Sequence, residues 1–224
     1  MPADHVVAQP EVFQQGVCHA ARLAQDGAIV TFGITPDRPE TGYGYIQAGA
    51  TLNEDGARAI ARFVEKPDLA TAEGYLQAGN YLWNSGLFVL RASVWLKALE
   101  RCRPDILAAC DVAWKNGTSD LSFLRVDAES FAACPSDSID YAVMERLTGA
   151  KAVAGLPPGV VVPLSAGWSD VGAWDALWQI LPKDDDGNVV QGRTLIQDCR
   201  NTLALSSGRL LACVGVQGLV VVET

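Results

Sequence analysis

Four short stretches of this 224-residue chain place groups able to do chemistry beside residues that shape the backbone. Asp4 adjoins His5 in a turn-like opening (PADH). A turn just after a strand would put its carboxylate at the carboxyl edge of a parallel sheet, where α/β ligand sites form. Residues 42–45 (GYGY) follow a polar loop, and glycines there let backbone approach a ligand closely. Glu65-Lys66-Pro67 ends an apolar run. The carboxylate can accept from sugar hydroxyls, the ammonium can pair with a phosphate, and the proline fixes the exit of the chain. Residues 167–172 (GWSDVG) hold Asp170 between glycines ahead of a helical pattern. Each stretch also has a plainer reading: a surface carboxylate, a turn, a solvated charge pair, a helix N-cap. Read together, Asp4 and Asp170 are the two carboxylates that Mg²⁺ takes from a protein when substrate phosphates complete its shell.

The charge balance gives that pairing a purpose. Seventeen Lys and Arg stand against 26 Asp and Glu, a formal net charge of −9. Nucleic acid is excluded as a partner, because duplex binding needs a basic face. An anionic substrate would need a few placed cations or a metal, since the overall field repels it. The six cysteines form no C-x-x-C pair and match no zinc-site spacing, so they read as reduced thiols used as small apolar residues. With only His5 and His19, a His-rich metal site is excluded.

Positioning such groups takes a framework, and 49% apolar residues suffice for a packed core. No stretch approaches the ~20 apolar residues of a membrane span, and no apolar leader opens the chain, so the expected compartment is the cytoplasm. Pro10 stands where a helix would start, with Phe13, Val17, Ala20, Ala21 and Ala24 at helical spacing. Strands are expected at 28–34, 45–48, 57–64, 86–90 and 160–164. Helices are expected at 69–76 behind an Asp68 cap, from a Ser93 cap to Cys102, from Pro104 to Trp114, at 139–147 behind Ser138, and at 172–181. This alternation predicts an α/β domain with a largely parallel sheet over residues 1–183. Past Lys183 the acidic turn DDDGN leads into short β runs punctuated by glycine, so residues 184–224 form a separate β-rich, β-helix-like segment.

The ordered set PADH, TGYGYI, FVEKP, NYLWNSGLFV, SIDYAVME and GWSDVGAWDALW closely resembles bacterial mannose-1-phosphate guanylyltransferases of the long type, fused to a mannose-6-phosphate isomerase domain. The resemblance runs from Met1 to about Leu181. It implies a Rossmann-like nucleotidyltransferase fold and the reaction of GTP with mannose 1-phosphate to GDP-mannose and pyrophosphate. By resemblance, Asp4 and Asp170 hold the metal, Glu65 holds sugar hydroxyls, and Lys66 lies near the sugar phosphate. Asn84 faces the sugar, and the backbone of Gly44 lies against its ring. The resemblance leaves the role of Asp140 in SIDYAVME open between function and helix capping. Mannose over glucose rests on the likeness alone.

One departure carries weight. The family's Gly-rich G-x-G-T-R-L-x-P loop, which cradles nucleotide phosphates, is absent from these residues. The chain is therefore expected to be an N-terminally truncated piece with little transferase activity alone, and an exposed sheet edge is expected where strands are lost. A pyrophosphate-release assay with GTP, Mg²⁺ and mannose 1-phosphate checks this. Two other readings stay open: a regulatory subunit that binds a sugar nucleotide without turnover, and a pyrophosphorylase for another hexose 1-phosphate. A homo-oligomer is compatible with all three.

Overall fold

The structure is a computed structural model that describes residues 4–149 and 152–224. Met1 to Ala3, part of the PADH motif, lie outside the described residues. The chain divides into two compact units, one formed by residues 8–166 and the other by residues 4–7 with 167–224. In chain order the elements begin β1 Val6–Val7, α1 Pro10–Gln25, β2 Ile29–Ile34, β3 Tyr45–Thr51, β4 Arg58–Val64, α2 Leu69–Ala78 and β5 Tyr81–Val89. There follow α3 Ala92–Cys102, α4 Pro104–Lys115, β6 Thr118–Asp120, β7 Phe123–Arg125, α5 Ala128–Ala132, α6 Ile139–Ala142, β8 Gly159–Pro163, β9 Trp168–Ser169 and α7 Trp174–Ile180. The last five are β10 Val189–Gln191, β11 Thr194–Gln197, β12 Leu203–Ser206, β13 Leu211–Val214 and β14 Val220–Glu223.

In the first unit, β2, β5, β3, β4 and β8 pair in that order and close on one another. The α/β class is as expected, but the largely parallel sheet is not. Only β2 and β8 run parallel, and the other four pairings are antiparallel. The short link from β3 to β4, residues 52–57, accounts for one of the antiparallel pairs, because parallel neighbours need a crossover of about a dozen residues or more. Nor is there an exposed edge among these strands, since each has two neighbours. Ile29, Ile46, Ile60, Phe63, Leu99, Val143, Met144 and Val161 form the core between this sheet, α3 and the α6 region.

Local chemistry sets the element ends. Pro10 at the first turn of α1 gives up only an N–H that no helix could use. Asp68 caps α2 by accepting from the Thr71 N–H at 2.8 Å, and Gly79 ends it at φ 69°. Ser93 is not a cap. Arg91 holds that position, and α3 already includes Ala92. Ser138 does cap, accepting from the Tyr141 N–H at 3.2 Å, but α6 stops at Ala142 and a 3-10 turn, Met144–Arg146, replaces its expected continuation. The β6–β7 hairpin and α5 carry no periodic signal and were not expected.

The fourth strand of the sequence reading begins earlier than Gly86. β5 starts at Tyr81 and carries a bulge. Against β2, Thr31 pairs with Phe88 and Gly33 with Asn84, so two steps on β2 face four on β5. Gly86, at φ 69°, absorbs the excess. This bulge re-aims Asn84.

In the second unit β1 and β9 form a two-stranded antiparallel ladder. The strands past residue 187 stack in parallel, β10 on β12 on β14 and β11 on β13, as the rungs of a parallel β-helix. Cys199, Ala204 and Cys213 fill its interior with Ile196, Leu211, Val216 and Val221 packed around them.

Candidate active site

The end of β4 sets the first group of residues. Val64 is the last strand residue, and Lys66 turns the chain in the left-handed region at φ 47°. Its N–H donates to the Tyr43 carbonyl at 3.2 Å, and Pro67 fixes the exit. Such a backbone costs about 1–3 kcal/mol for a non-glycine residue and concentrates where function needs it. The turn separates the paired charges. The Glu65 side chain is 11% exposed and that of Lys66 59%, with Oε1 and Nζ 3.9 Å apart.

The strands β3 and β5 complete the group. The Asn84 N–H donates to the Gly44 carbonyl at 2.7 Å. A Cβ placed on Gly44 would lie 2.5 Å from Oε2 of Glu65 and 3.2 Å from Cβ of Asn84. Glycine is therefore required at 44, because the Glu65 carboxylate occupies the space a side chain would take. The buried Asn84 amide is held at both ends: Oδ1 accepts from the Thr31 hydroxyl at 2.9 Å, and Nδ2 donates to Oδ1 of Asp140 at 3.1 Å. Glu145 Oε1 accepts the Glu65 N–H at 3.2 Å.

Three carboxylates thus gather round one ammonium. Burial pushes the Glu65 carboxyl up from 4.5 to about 7, aided by Asp140 and Glu145 and opposed by Lys66. Burial raises Asp140 as well, against the Asn84 N–H and Lys66. Oε2 of Glu65 is buried and has no hydrogen-bond partner among the described residues. A buried acceptor left unmade costs about 1–3 kcal/mol, and a hydroxyl brought by a ligand would satisfy it. Gly44, Glu65, Lys66 and Asn84, expected separately from the sequence, thus lie together in the first unit. The residues not expected beside them are Thr31 and Glu145. Both come from distant segments, and nothing local marks them.

In the second unit Asp4 and Asp170 lie beyond the same end of one short ladder. Val6 pairs with Ser169 and Val7 with Trp168. Carried one residue further, this register sets His5 against Asp170, with Asp4 the next residue out. His5 Nδ1 accepts from Trp168 Nε1 at 3.1 Å, and the rings meet edge to face. Asp4 immediately precedes the short antiparallel strand β1, and what it follows lies outside the described residues. Asp170 does not cap α7, whose cap position is Ala173. Its Oδ1 instead accepts from the Gly172 N–H at 3.2 Å. A Cβ on Gly172 would come within 2.9 Å of Asp170 Oδ2, so this glycine too makes room for a carboxylate. Between them Val171 sits at φ 51°, an outlier for a β-branched residue. Among the described residues no three metal-ligating side chains converge.

Comparison with known proteins now decides the family. The Nucleotidyl transferase family matches residues 1–187. The chain belongs to that family. It is 51% identical over 224 residues to the Xanthan biosynthesis protein XanB of Xanthomonas campestris pv. campestris, covering all of this chain and 45% of that protein. It is 47% identical over 227 residues to a mannose-1-phosphate guanylyltransferase of Escherichia coli, again covering 100% of this chain and 46% of that one. The chain thus spans about half the length of the curated relatives it matches. A crystal structure titled mannose-1-phosphate geranyltransferase, from Thermus thermophilus, superposes with a TM-score of 0.82 at 31% identity, covering 100% of this chain and 62% of that one. Nucleotidyl transferases of this kind generally use a divalent metal. Among the described residues no helix is long and apolar enough to cross a membrane.

Proposed function

We propose that this chain carries the sugar-phosphate part of a mannose-1-phosphate guanylyltransferase, which converts GTP and mannose 1-phosphate to GDP-mannose and pyrophosphate in the cytoplasm. The observation that carries this is the buried, unpartnered Oε2 of Glu65 beside an exposed Lys66 ammonium and a fixed Asn84 amide. That set offers an acceptor for a sugar hydroxyl, a cation for a phosphate and an oriented amide, which is what a sugar phosphate displays. The names of the relatives at 46–47% identity support the same substrate.

In this reading the sugar phosphate oxygen attacks the α-phosphorus of GTP in line and pyrophosphate leaves. Such a step needs positioning and charge neutralisation rather than a covalent protein nucleophile. Glu65 and Asn84 orient the hexose, and Lys66 holds its phosphate against the acidic field of the protein. Asp4 and Asp170 would hold Mg²⁺, which supplies neutralisation of phosphate charge. Residues 1–183 form the transferase part and 184–224 a β-helical continuation, a division that the extent of the family match supports.

Isothermal titration of the 224-residue chain with mannose 1-phosphate tests the assignment. The expected result is binding that falls at least tenfold in Glu65→Gln and in Lys66→Ala, and that Asp170→Asn leaves unchanged when metal is absent. Equal affinity in all variants overturns the site. Tight GDP-mannose binding with no metal dependence overturns the enzyme in favour of a regulatory sugar-nucleotide binder.

A further inference from the structure

The amide of Asn84 has two ends that differ only in a proton's worth of chemistry, and three elements decide between them. Thr31 reaches it from β2, Asp140 from α6, and the bulge at Gly86 presents it from β5. Thr31 has one hydroxyl proton and two acceptors in reach, Asn84 Oδ1 at 2.9 Å and the Leu87 carbonyl at 3.1 Å. Thr31 is fully buried, and Asn84 is 8% exposed. Their hydrogen bonds therefore have to be made within the protein.

Two complete arrangements exist. With Asp140 ionised, it can only accept, so Asn84 must turn Nδ2 towards it. Thr31 then donates to Asn84 Oδ1. With Asp140 protonated, its O–H gains the ability to donate to Asn84 Oδ1, which allows the amide to reverse so that Nδ2 donates to Thr31. The Thr31 proton passes to the Leu87 carbonyl. Both ends of the Asn84 amide are hydrogen-bonded each time, and the two arrangements differ by one proton on Asp140. The end of the amide nearest Asp140 offers a spare N–H in the first and a spare lone pair in the second.

We propose, resting on the sugar-phosphate reading of this site, that Thr31 and Asp140 are positioning residues. They fix the Asn84 amide as a hydrogen-bond donor to the ligand, and a proton on Asp140 reverses it to an acceptor. Asp140 faces Glu65 and Lys66 at the end of β4 and Glu145 from the 3-10 turn. Two of these three neighbours are carboxyl groups, so the surroundings favour uptake of a proton. The donor form offers its spare N–H to a hydroxyl oxygen of the hexose, the part of the ligand that Asn84 orients. Asp140 thereby acts through Asn84 and not on the substrate.

Two measurements on the whole 224-residue chain test this. The first follows the Asn84 side-chain ¹⁵N–¹H₂ signals from pH 5 to 8. One transition is expected in the wild type, and its loss in Asp140→Asn. The second measures mannose 1-phosphate affinity at a fixed pH of about 7.5, so that titration of the ligand does not intervene. Thr31→Val and Asp140→Asn are expected to bind about tenfold more weakly, as loss of a charge-assisted anchor implies. Thr31→Ser keeps the hydroxyl and is expected to retain wild-type affinity, which separates the anchor from a packing defect. If the wild type binds and no variant alters either the amide signals or the affinity, the positioning role is overturned. If the wild type fails to bind while the amide transition still depends on Asp140, the sugar-phosphate reading falls and the switch of the amide stands.

Discussion

At the scale of single residues, the site is held together by unfavourable terms. Glu65 is buried beside two other carboxyl groups, and its proton affinity rises accordingly. An acid whose folded-state pKa lies above its unfolded value binds more protons in the folded state between the two. Stability then falls as pH rises through that window, here from 4.5 to about 7. The cost above the window is of the order of 3–4 kcal/mol, from about 1.4 kcal/mol per pK unit. Glu65→Gln removes the titrating group. Urea unfolding of wild type and variant is expected to give similar stabilities at pH 4.5 and a more stable variant at pH 8. A variant less stable at pH 8 would contradict the burial argument.

At the scale of elements, two glycines in the site do different work. Gly44 clears space for the Glu65 carboxylate, while Gly86 has open space around its Cβ position and is needed for its φ of 69°. Gly86→Ala would force a side chain into the left-handed region at about 1–2 kcal/mol. It is expected to lower stability by that amount and to weaken mannose 1-phosphate binding as well, because the bulge aims Asn84. Thermal unfolding and titration of the same sample check both. The Asn-Ser-Gly run at 84–86 interrupts an apolar segment, and a glycine inside a strand pattern is the mark of a bulge. That signal was present in the sequence. Which residue would be turned, and towards what, was not.

At the scale of the molecule, each unit has its own core, and the coil of the second unit depends on one buried amide. Asn188, 2% exposed, accepts from the Thr202 N–H at 3.1 Å and donates to the Cys199 carbonyl at 3.0 Å and to Asp184. Asn188→Ala leaves those buried groups unpaired and is expected to cost about 3 kcal/mol. Hydrogen exchange should quicken across β10, β12 and β14 while amides of β2, β5 and β8 keep their protection. The sequence by itself determined the types of most of the longer elements, the β-rich change of texture past Lys183, and the residues whose chemistry suits a sugar phosphate and a cation. Those follow from periodicity, caps and side-chain chemistry, which are local. It did not determine that the first sheet is mainly antiparallel and closed, that Thr31, Asp140 and Glu145 converge on Asn84 and Glu65, or that Asp4 and Asp170 lie beyond one end of the β1–β9 ladder. Those depend on strand register and on burial between segments 53 to more than 160 residues apart, and only the folded chain brings such segments within reach of one another.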